Sequence, residues 1–277
     1  MADMPIITFS DGNSIPQLGF GVWQVGNDEA VSVVGEAIRA GYRAIDTAQG
    51  YGNEEGVGKA IAASGLGRDE IFITSKLTNS QHGYDKALTA FMGTLGRLGM
   101  DWIDLFLIHW PVPAQDKYVE SWKAFVQLQK DGRIKSIGVS NFLPEHLERI
   151  IGETGVTPAV NQIELHPEFQ QRDVRDFHQQ HNIASESYSP LGRGRLLGNT
   201  VIGEIARKHG KSPAQAILRW HLQEGLIVIP KSVTPQRIAE NIAVFDFELD
   251  GDDLKRIASL DRGDGKQGSN PATMNNL

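Results

Sequence analysis

The sequence predicts a single-domain (β/α)8 barrel of the TIM type, on three observations. Short apolar, β-branched runs alternate with amphipathic stretches eight times from end to end. No linker, low-complexity segment or internal repeat interrupts them, and ~250 residues is an ordinary size for such a barrel. An open doubly wound sheet would favour G-x-G-x-x-G after its first strand. Here Gly19-Phe-Gly21-Val-Trp-Gln24 lacks the third glycine, and Gly192-Arg-Gly194-Arg-Leu-Leu-Gly198 has a different spacing.

The elements follow in order. An N-terminal β-hairpin turns at Ser10–Asp11–Gly12–Asn13, and the first barrel strand is Leu18–Trp23. Helix Asp28–Ala40 is stopped by Gly41. Strand Tyr42–Asp46 pairs with helix Asn53–Ala63, strand Ile71–Lys76 with helix Asp85–Leu98, and Ile103–His109, which reads as a fully buried run, with helix Val119–Lys130. Strand Lys135–Ser140 and helix Pro144–Glu153 form the fifth unit, and strand Ala159–Glu164 and helix Arg172–His181 the sixth. After strand seven, Ile183–Tyr188, come two helices, Thr200–Lys208 and Pro213–Glu224, the second capped by Ser212 with Pro213 at its first position. Strand Leu226–Ile229, helix Pro235–Ile242 and an extra terminal helix near Asp252–Leu260 end the series. Residues 263–277, rich in Gly, Asn and Ser, read as a mobile tail of the one domain, 1–277.

Composition narrows the function. Among 277 residues, 40% are hydrophobic and 22% charged, as in ordinary globular proteins. A net charge of −7 argues against a general nucleic-acid or anionic-membrane binder. The absence of cysteine excludes disulfide scaffolds, thiolate–metal sites and a thiol nucleophile, and fits a reducing compartment. With no apolar span and no signal-like start, a cytoplasmic location is expected. The eight histidines form no His-x-His or His-Glu-x-x-His, so no metal site is expected, although His178 and His181 share a helix face.

In a barrel the polar residues at strand C-termini are the candidates for chemistry. They are Asp46, Lys76, His109, Ser140, Asn141, Gln162, Tyr188 and Lys231, with Tyr51 five residues beyond Asp46. Singly each has an ordinary structural use: helix cap, turn residue or buried hydrogen bond. Together they suit carbonyl reduction, which needs a proton donor at a developing alkoxide. A free phenol, pKa ~10, is a poor donor near neutral pH. A close ammonium lowers such a pKa by ~1–3 units, and Lys76 would supply that field. Asp46 would hold Lys76 charged and oriented, and His109 would position the carbonyl oxygen.

These residues lie in segments that resemble the aldo-keto reductases along essentially the whole chain, most closely the bacterial 2,5-diketo-D-gluconate reductase group. The segments are Gly41-Tyr-Arg-Ala-Ile-Asp-Thr-Ala48, Tyr51-Gly-Asn-Glu-Glu-Gly-Val-Gly58, Ile73-Thr-Ser-Lys76 and Asp104-Leu-Phe-Leu-Ile-His-Trp-Pro111. Others are Ile137-Gly-Val-Ser-Asn-Phe142, Asn161-Gln-Ile-Glu-Leu-His-Pro167 and Ile229-Pro-Lys-Ser232 followed by Arg237-Ile-Ala-Glu-Asn241. The resemblance implies a catalytic tetrad of Asp46, Tyr51, Lys76 and His109, with the tyrosine as general acid, and an NADPH/NADP+ cofactor. Ser140, Asn141 and Gln162 would hold the nicotinamide amide and Tyr188 would stack on its ring. Ser189, Leu191 and Gly192 would follow the pyrophosphate, with Gly21, Val22 and Trp23 on the active-site side.

Lys231, Ser232, Val233 and Arg237 lie after strand eight and into its helix, where an anion is favoured. An arginine fork and a lysine charge suit a ribose 2′-phosphate, which predicts a preference for NADPH. Glu240 and Asn241 match the family's adenine contacts. Trp23, Gly50, Tyr51, His109, Trp110 and Phe142 are expected to border the substrate pocket.

The chain departs from its nearest relatives at Lys76-Leu-Thr78-Asn79, where a tryptophan is usual, and at Ala48-Gln49-Gly50 before Tyr51. Both changes are expected to widen or polarise the mouth. The short stretch after the last helix, without the long loop of vertebrate members, is expected to leave the site open. Small aldehydes, α-dicarbonyls and keto-sugars all fit, and a monomer is the default. A class I aldolase using Lys76 or Lys231 as a Schiff base stays open, as does a non-catalytic cofactor-binding sensor or subunit. A short-chain dehydrogenase does not, for no tyrosine has a lysine four residues later.

Overall fold

The computed structural model describes residues 4–276. A two-stranded antiparallel hairpin comes first, β1 (Ile6–Thr8) and β2 (Ser14–Pro16), with Thr8 opposite Ser14. Eight parallel strands follow, hydrogen-bonded in chain order: β3 (Phe20–Gly21), β4 (Ala44–Asp46), β5 (Phe72–Leu77), β6 (Ile103–Ile108), β7 (Ile134–Ser140), β8 (Val160–Glu164), β9 (Ala184–Tyr188) and β10 (Ile227–Val228). The ring closes where Leu18 bridges Val228, with Gly19 N–H donating to Val228 O and Val228 N–H to Gln17 O. The fold is a (β/α)8 barrel.

The helices are α1 (Asn27–Ala40), α2 (Glu54–Ala62), α3 (Tyr84–Leu98), α4 (Tyr118–Lys130), α5 (Pro144–Thr154), α6 (Arg172–Gln180), α7 (Thr200–Lys208), α8 (Pro213–Gln223), α9 (Pro235–Ile242) and α10 (Gly251–Ala258). Gly41 ends α1 at φ 110°, where its N–H and that of Tyr42 return to Ile38 O and Ala37 O. Ser212 caps α8 through a reciprocal capping box with Gln215, and Pro213 stands at the first position. The end strands are shorter than their apolar runs. Leu18–Trp23 contracts to Phe20–Gly21, and Leu226–Ile229 to Ile227–Val228, whose run is cut by Pro230.

Strand alternation sorts the interior from the outer core. Ala44, Phe72, Leu105, Leu107, Val160 and Ile227 point inward and pack with Phe9 and Ile15 of the hairpin, which closes the N-terminal mouth. Two residues further along the same strands, the inward positions turn polar: Asp46 above Ala44, His109 above Leu107, Gln162 above Val160 and Glu186 above Ala184. An apolar floor therefore carries a polar layer at the C-terminal end.

Residues after α10 make defined contacts across that end, where sequence reading expects a mobile tail and an open mouth. Arg262 N–H donates to Glu168 O (3.1 Å), and the N–H groups of Gln267 and Gly268 donate to the Glu164 carboxylate (2.6 and 2.7 Å). Asn79 Nδ2 reaches Asn276 O at 2.8 Å on the far side. A Cβ at Gly265 would stand 1.9 Å from Glu168 O, so this approach needs glycine. Gly268, Ser269 and Met274 of this stretch form part of the wall of the mouth.

Candidate active site

Four side chains converge at the strand C-termini. Asp46 ends β4, and Tyr51 lies on the short helical turn Gln49–Tyr51 that follows. On β5, Ser75 faces outward to Glu54 of α2, so its neighbour Lys76 faces inward. His109 follows β6 directly. Lys76, wholly buried, donates to Asp46 Oδ1 (2.6 Å), Thr47 O (2.9 Å) and the Tyr51 hydroxyl (3.5 Å). The rings of Tyr51 and His109 meet edge to face at 5.7 Å.

Burial works against the Lys76 ammonium, but Asp46 and then Tyr51 outweigh it and push its pKa up. The residue is a fixed cation. That disfavours the Schiff-base reading for Lys76, because amine attack needs the neutral form. Burial pushes His109 down to about 3, with Lys76 and His82 adding to the effect, so its imidazole is neutral. Tyr51 departs from expectation: burial pushes the phenol up by more than Lys76 pulls it down. Proximity of a lysine is legible in sequence and desolvation is not. The phenol is thus a held proton, and Lys76 limits the cost of releasing it.

A hydrogen-bonded shelf spans β7 to β9. Ser140 Oγ donates to Gln162 O (2.8 Å), and Asn141 Nδ2 donates to His109 O and Ser140 Oγ (3.0 Å each). Tyr188 OH donates to Asn141 Oδ1 at 2.8 Å. Gln162 Nε2 crosses to Asp46 Oδ2 at 2.9 Å, holding that carboxylate from the side opposite Lys76. Asn141 (φ 62°) and Ser189 (φ 50°) adopt left-handed backbone, as does Val112 (φ 42°) beyond Trp110; a β-branched residue there is strained.

These groups open into a cavity of about 360 Å³. Gly21, Trp23, Asp46, Tyr51, His109, Trp110, Ser140, Asn141, Gln162, Tyr188, Ser189 and Lys231 line it. Val22 does not, since its side chain is buried in the outer core. Leu191 and Gly192 lie behind Ser189, with Gly192 packed on Leu196 and the Gln267 amide. Phe142, expected at the mouth, is instead buried against Tyr118 and His146. Gly50 lies exposed on the rim beside Thr78.

Gln49 turns away from the mouth: Nε2 donates to Ala90 O (3.0 Å) and Thr94 Oγ1 (2.9 Å), and Oε1 accepts from Thr78 N–H (3.0 Å). It ties the tyrosine-bearing turn to β5 and α3 and does not polarise the mouth, which corrects that expectation. Pro190, inside the expected run Ser189–Gly192, also lines the cavity, whereas sequence reading missed Arg193, Ile229, Gly268, Ser269 and Met274 in the wall. The Arg193 guanidinium lies 5.5 Å from the Trp23 ring centroid.

At the far end of the groove, Thr234 starts α9 without a side-chain cap, leaving the first N–H groups open. Lys231, Val233 and Arg237 are exposed there, and Ser232 Oγ accepts from Thr234 N–H at 3.1 Å. Neither Lys231 nor Arg237 enters an ion pair among the described residues. The Glu240 carboxylate accepts from the Ser212 hydroxyl, and Asn241 is buried on the inner face of α9.

A model of the aldo/keto reductase family matches residues 17–262. The chain belongs to the aldo/keto reductase family. It is an oxidoreductase acting on carbonyl and carbinol groups. An aldo-keto reductase of Mycolicibacterium smegmatis is 56% identical over 271 residues, 98% of each chain. The methylglyoxal reductase DkgA of Escherichia coli K12 is 54% identical over 265 residues, 95% of this chain and 96% of that one. A crystal structure of a Gox0644 variant in complex with NADPH superposes with a TM-score of 0.95 at 55% identity, covering 98% of this chain and 99% of that one.

Proposed function

We propose that the protein uses NADPH to reduce small α-dicarbonyl compounds such as methylglyoxal, with Tyr51 as the proton donor. One observation carries the reading: the Lys76 ammonium is fixed between Asp46 (2.6 Å) and the Tyr51 hydroxyl (3.5 Å), and both of these partners line the cavity. The residues present fit the cofactor. The cavity runs from the tetrad past Ser189 and Arg193 to Lys231, and beyond it the α9 N-terminus presents open N–H groups beside Arg237. At Gly21 a Cβ would stand 3.3 Å from Ile229 O, so the wall there is bare backbone.

When bound, NADPH supplies the hydride that the carbonyl carbon accepts. The chain does the rest. Neutral His109 donates a hydrogen bond to the carbonyl oxygen and orients it toward Tyr51. As charge develops on that oxygen, the phenol releases its proton to it, and Lys76 stabilises the phenolate left behind. Asp46, Thr47 O and Gln162 keep the ammonium in register. Trp23, Trp110 and Met274 line the mouth beside the tetrad and give the substrate apolar surface to pack on. Ser140, Asn141, Gln162 and Tyr188 would hold the nicotinamide ring, and Lys231, Ser232 and Arg237 the 2′-phosphate.

The methylglyoxal reductase among the relatives supports the substrate class. Arg193 and Ser269 on the wall favour a keto-sugar as the second reading, since they offer partners to hydroxyl groups. The test is NADPH consumption across a panel of aldehydes, dicarbonyls and keto-sugars. The highest kcat/KM is expected with methylglyoxal, and no consumption with any carbonyl would defeat the proposal.

A further inference from the structure

We infer that Glu186, a buried carboxyl group beneath the tetrad that no hydrogen bond satisfies, is a positioning residue governing how strongly Lys76 acidifies Tyr51. The inference rests on the reading of Tyr51 as proton donor. On β9 Ser185 faces outward, its Oγ 2.8 Å from His178 of α6, while Tyr188 lines the cavity. Alternation therefore sends Glu186 into the barrel, one inward position below Tyr188. It is wholly buried, and neither carboxyl oxygen has a hydrogen-bond partner. Its register partners are Gln162 on β8 and Ile227 on β10. The nearby Gln162 amide has its hydrogen bond to Asp46.

The charged and titratable groups facing it are Asp46 from β4, Lys76 from β5 and Tyr51 from the turn after β4; β8 and β10 present only Gln162 and Ile227. A bare carboxylate in such a place is costly, whereas the neutral acid is tolerated. Burial, then Asp46, push its pKa well up against the pull of Lys76 and, last, of the Gln162 amide. While Glu186 is protonated the cluster holds one carboxylate and one ammonium, and the field of Lys76 reaches the phenol undivided. Once it ionises, a second negative charge competes for Lys76 and raises the pKa of Tyr51. Glu186 thus makes the tyrosine hold its proton longer as the medium turns alkaline. A merely space-filling side chain at this level would be apolar, like the layer below.

The test uses Glu186→Gln and Glu186→Met in the full chain, with Tyr51→Phe alongside. The readout is the pH profile of kcat/KM for NADPH-dependent methylglyoxal reduction, each profile normalised to its own plateau, from about pH 7 to about pH 11.5, so that the limb of the raised phenol is reached. Both neutral variants are expected to lose activity earlier on the alkaline side, the limb moving down by about 0.5 unit or more. A limb that stays in place or moves up in folded variants overturns the inference. So does failure of both variants to fold by circular dichroism, because an electrostatic role tolerates neutral groups of similar size. The two readings separate cleanly. Activity surviving in Tyr51→Phe removes the proton-donor reading, whereas an inactive Tyr51→Phe with an unmoved limb removes only the role of Glu186.

Discussion

The Lys76 ammonium stands 3.5 Å from the Tyr51 hydroxyl, and this is the last of its three donor contacts; Asp46 Oδ1 and Thr47 O take the others. A lysine has three N–H donors, so its orientation is fully determined here. Replacing it by methionine keeps the volume and removes the charge proposed to stabilise the phenolate. Lys76→Met is expected to lower kcat by at least ~100-fold while NADPH affinity changes little, as followed by steady-state rates and cofactor fluorescence titration.

In the proposed mechanism His109 acts in its neutral form. Burial, with Lys76 and His82, pushes its pKa down to about 3, so the ring stays uncharged well below neutrality. A lowered histidine pKa means that the folded protein declines the proton an ordinary imidazole would accept near pH ~6.5. The kcat profile is therefore expected to show no histidine limb between about pH 5 and about pH 7. An acid limb in that window that vanished in His109→Gln would assign the charged ring to catalysis instead.

Gln49 buttresses the turn that carries Tyr51 through contacts to Ala90 O, Thr94 Oγ1 and Thr78 N–H. Gln49→Ala breaks all three and leaves part-buried partners unpaired, which costs about 1–3 kcal/mol. A lower midpoint in urea is expected, with kcat falling several-fold and KM nearly unchanged, because the side chain never reaches the cavity.

Arg237 lies in the first turn of α9, close in sequence to Lys231, and forms no ion pair among the described residues. A charge-assisted bond to a 2′-phosphate is worth about 1.5–3 kcal/mol, so Arg237→Ala should raise the NADPH KM by ~10-fold or more. The KM for NADH, which lacks that phosphate, should stay where it is. Equal effects on both cofactors would place the phosphate elsewhere.

The alternation of apolar runs and amphipathic stretches made the barrel legible, because period and caps are local properties. Asp46, Lys76 and His109 stood out because strand ends in a barrel share one rim. What escaped depends on which way a side chain turns. In Ala184-Ser-Glu-Ser-Tyr188, small polar residues flank the glutamate, and nothing local shows that Glu186 is the inward one. Gln49 read as a mouth residue for the same reason, and Phe142 as a rim aromatic although it is packed in the core. The tail carries only loop-forming composition, while its anchor, Glu164, lies about a hundred residues earlier on β8. The raised pKa of Tyr51 comes first from burial, a collective property of the whole rim.

Tyr51→Phe tests the central claim most directly, since it deletes one oxygen and keeps the ring against His109. The measurement is kcat/KM for methylglyoxal reduction at neutral pH, with the NADPH dissociation constant of each protein measured alongside. A loss of ~100–10,000-fold with cofactor affinity preserved is the expected result for a missing general acid. Activity within about tenfold of the unsubstituted protein would contradict the role of Tyr51 as proton donor.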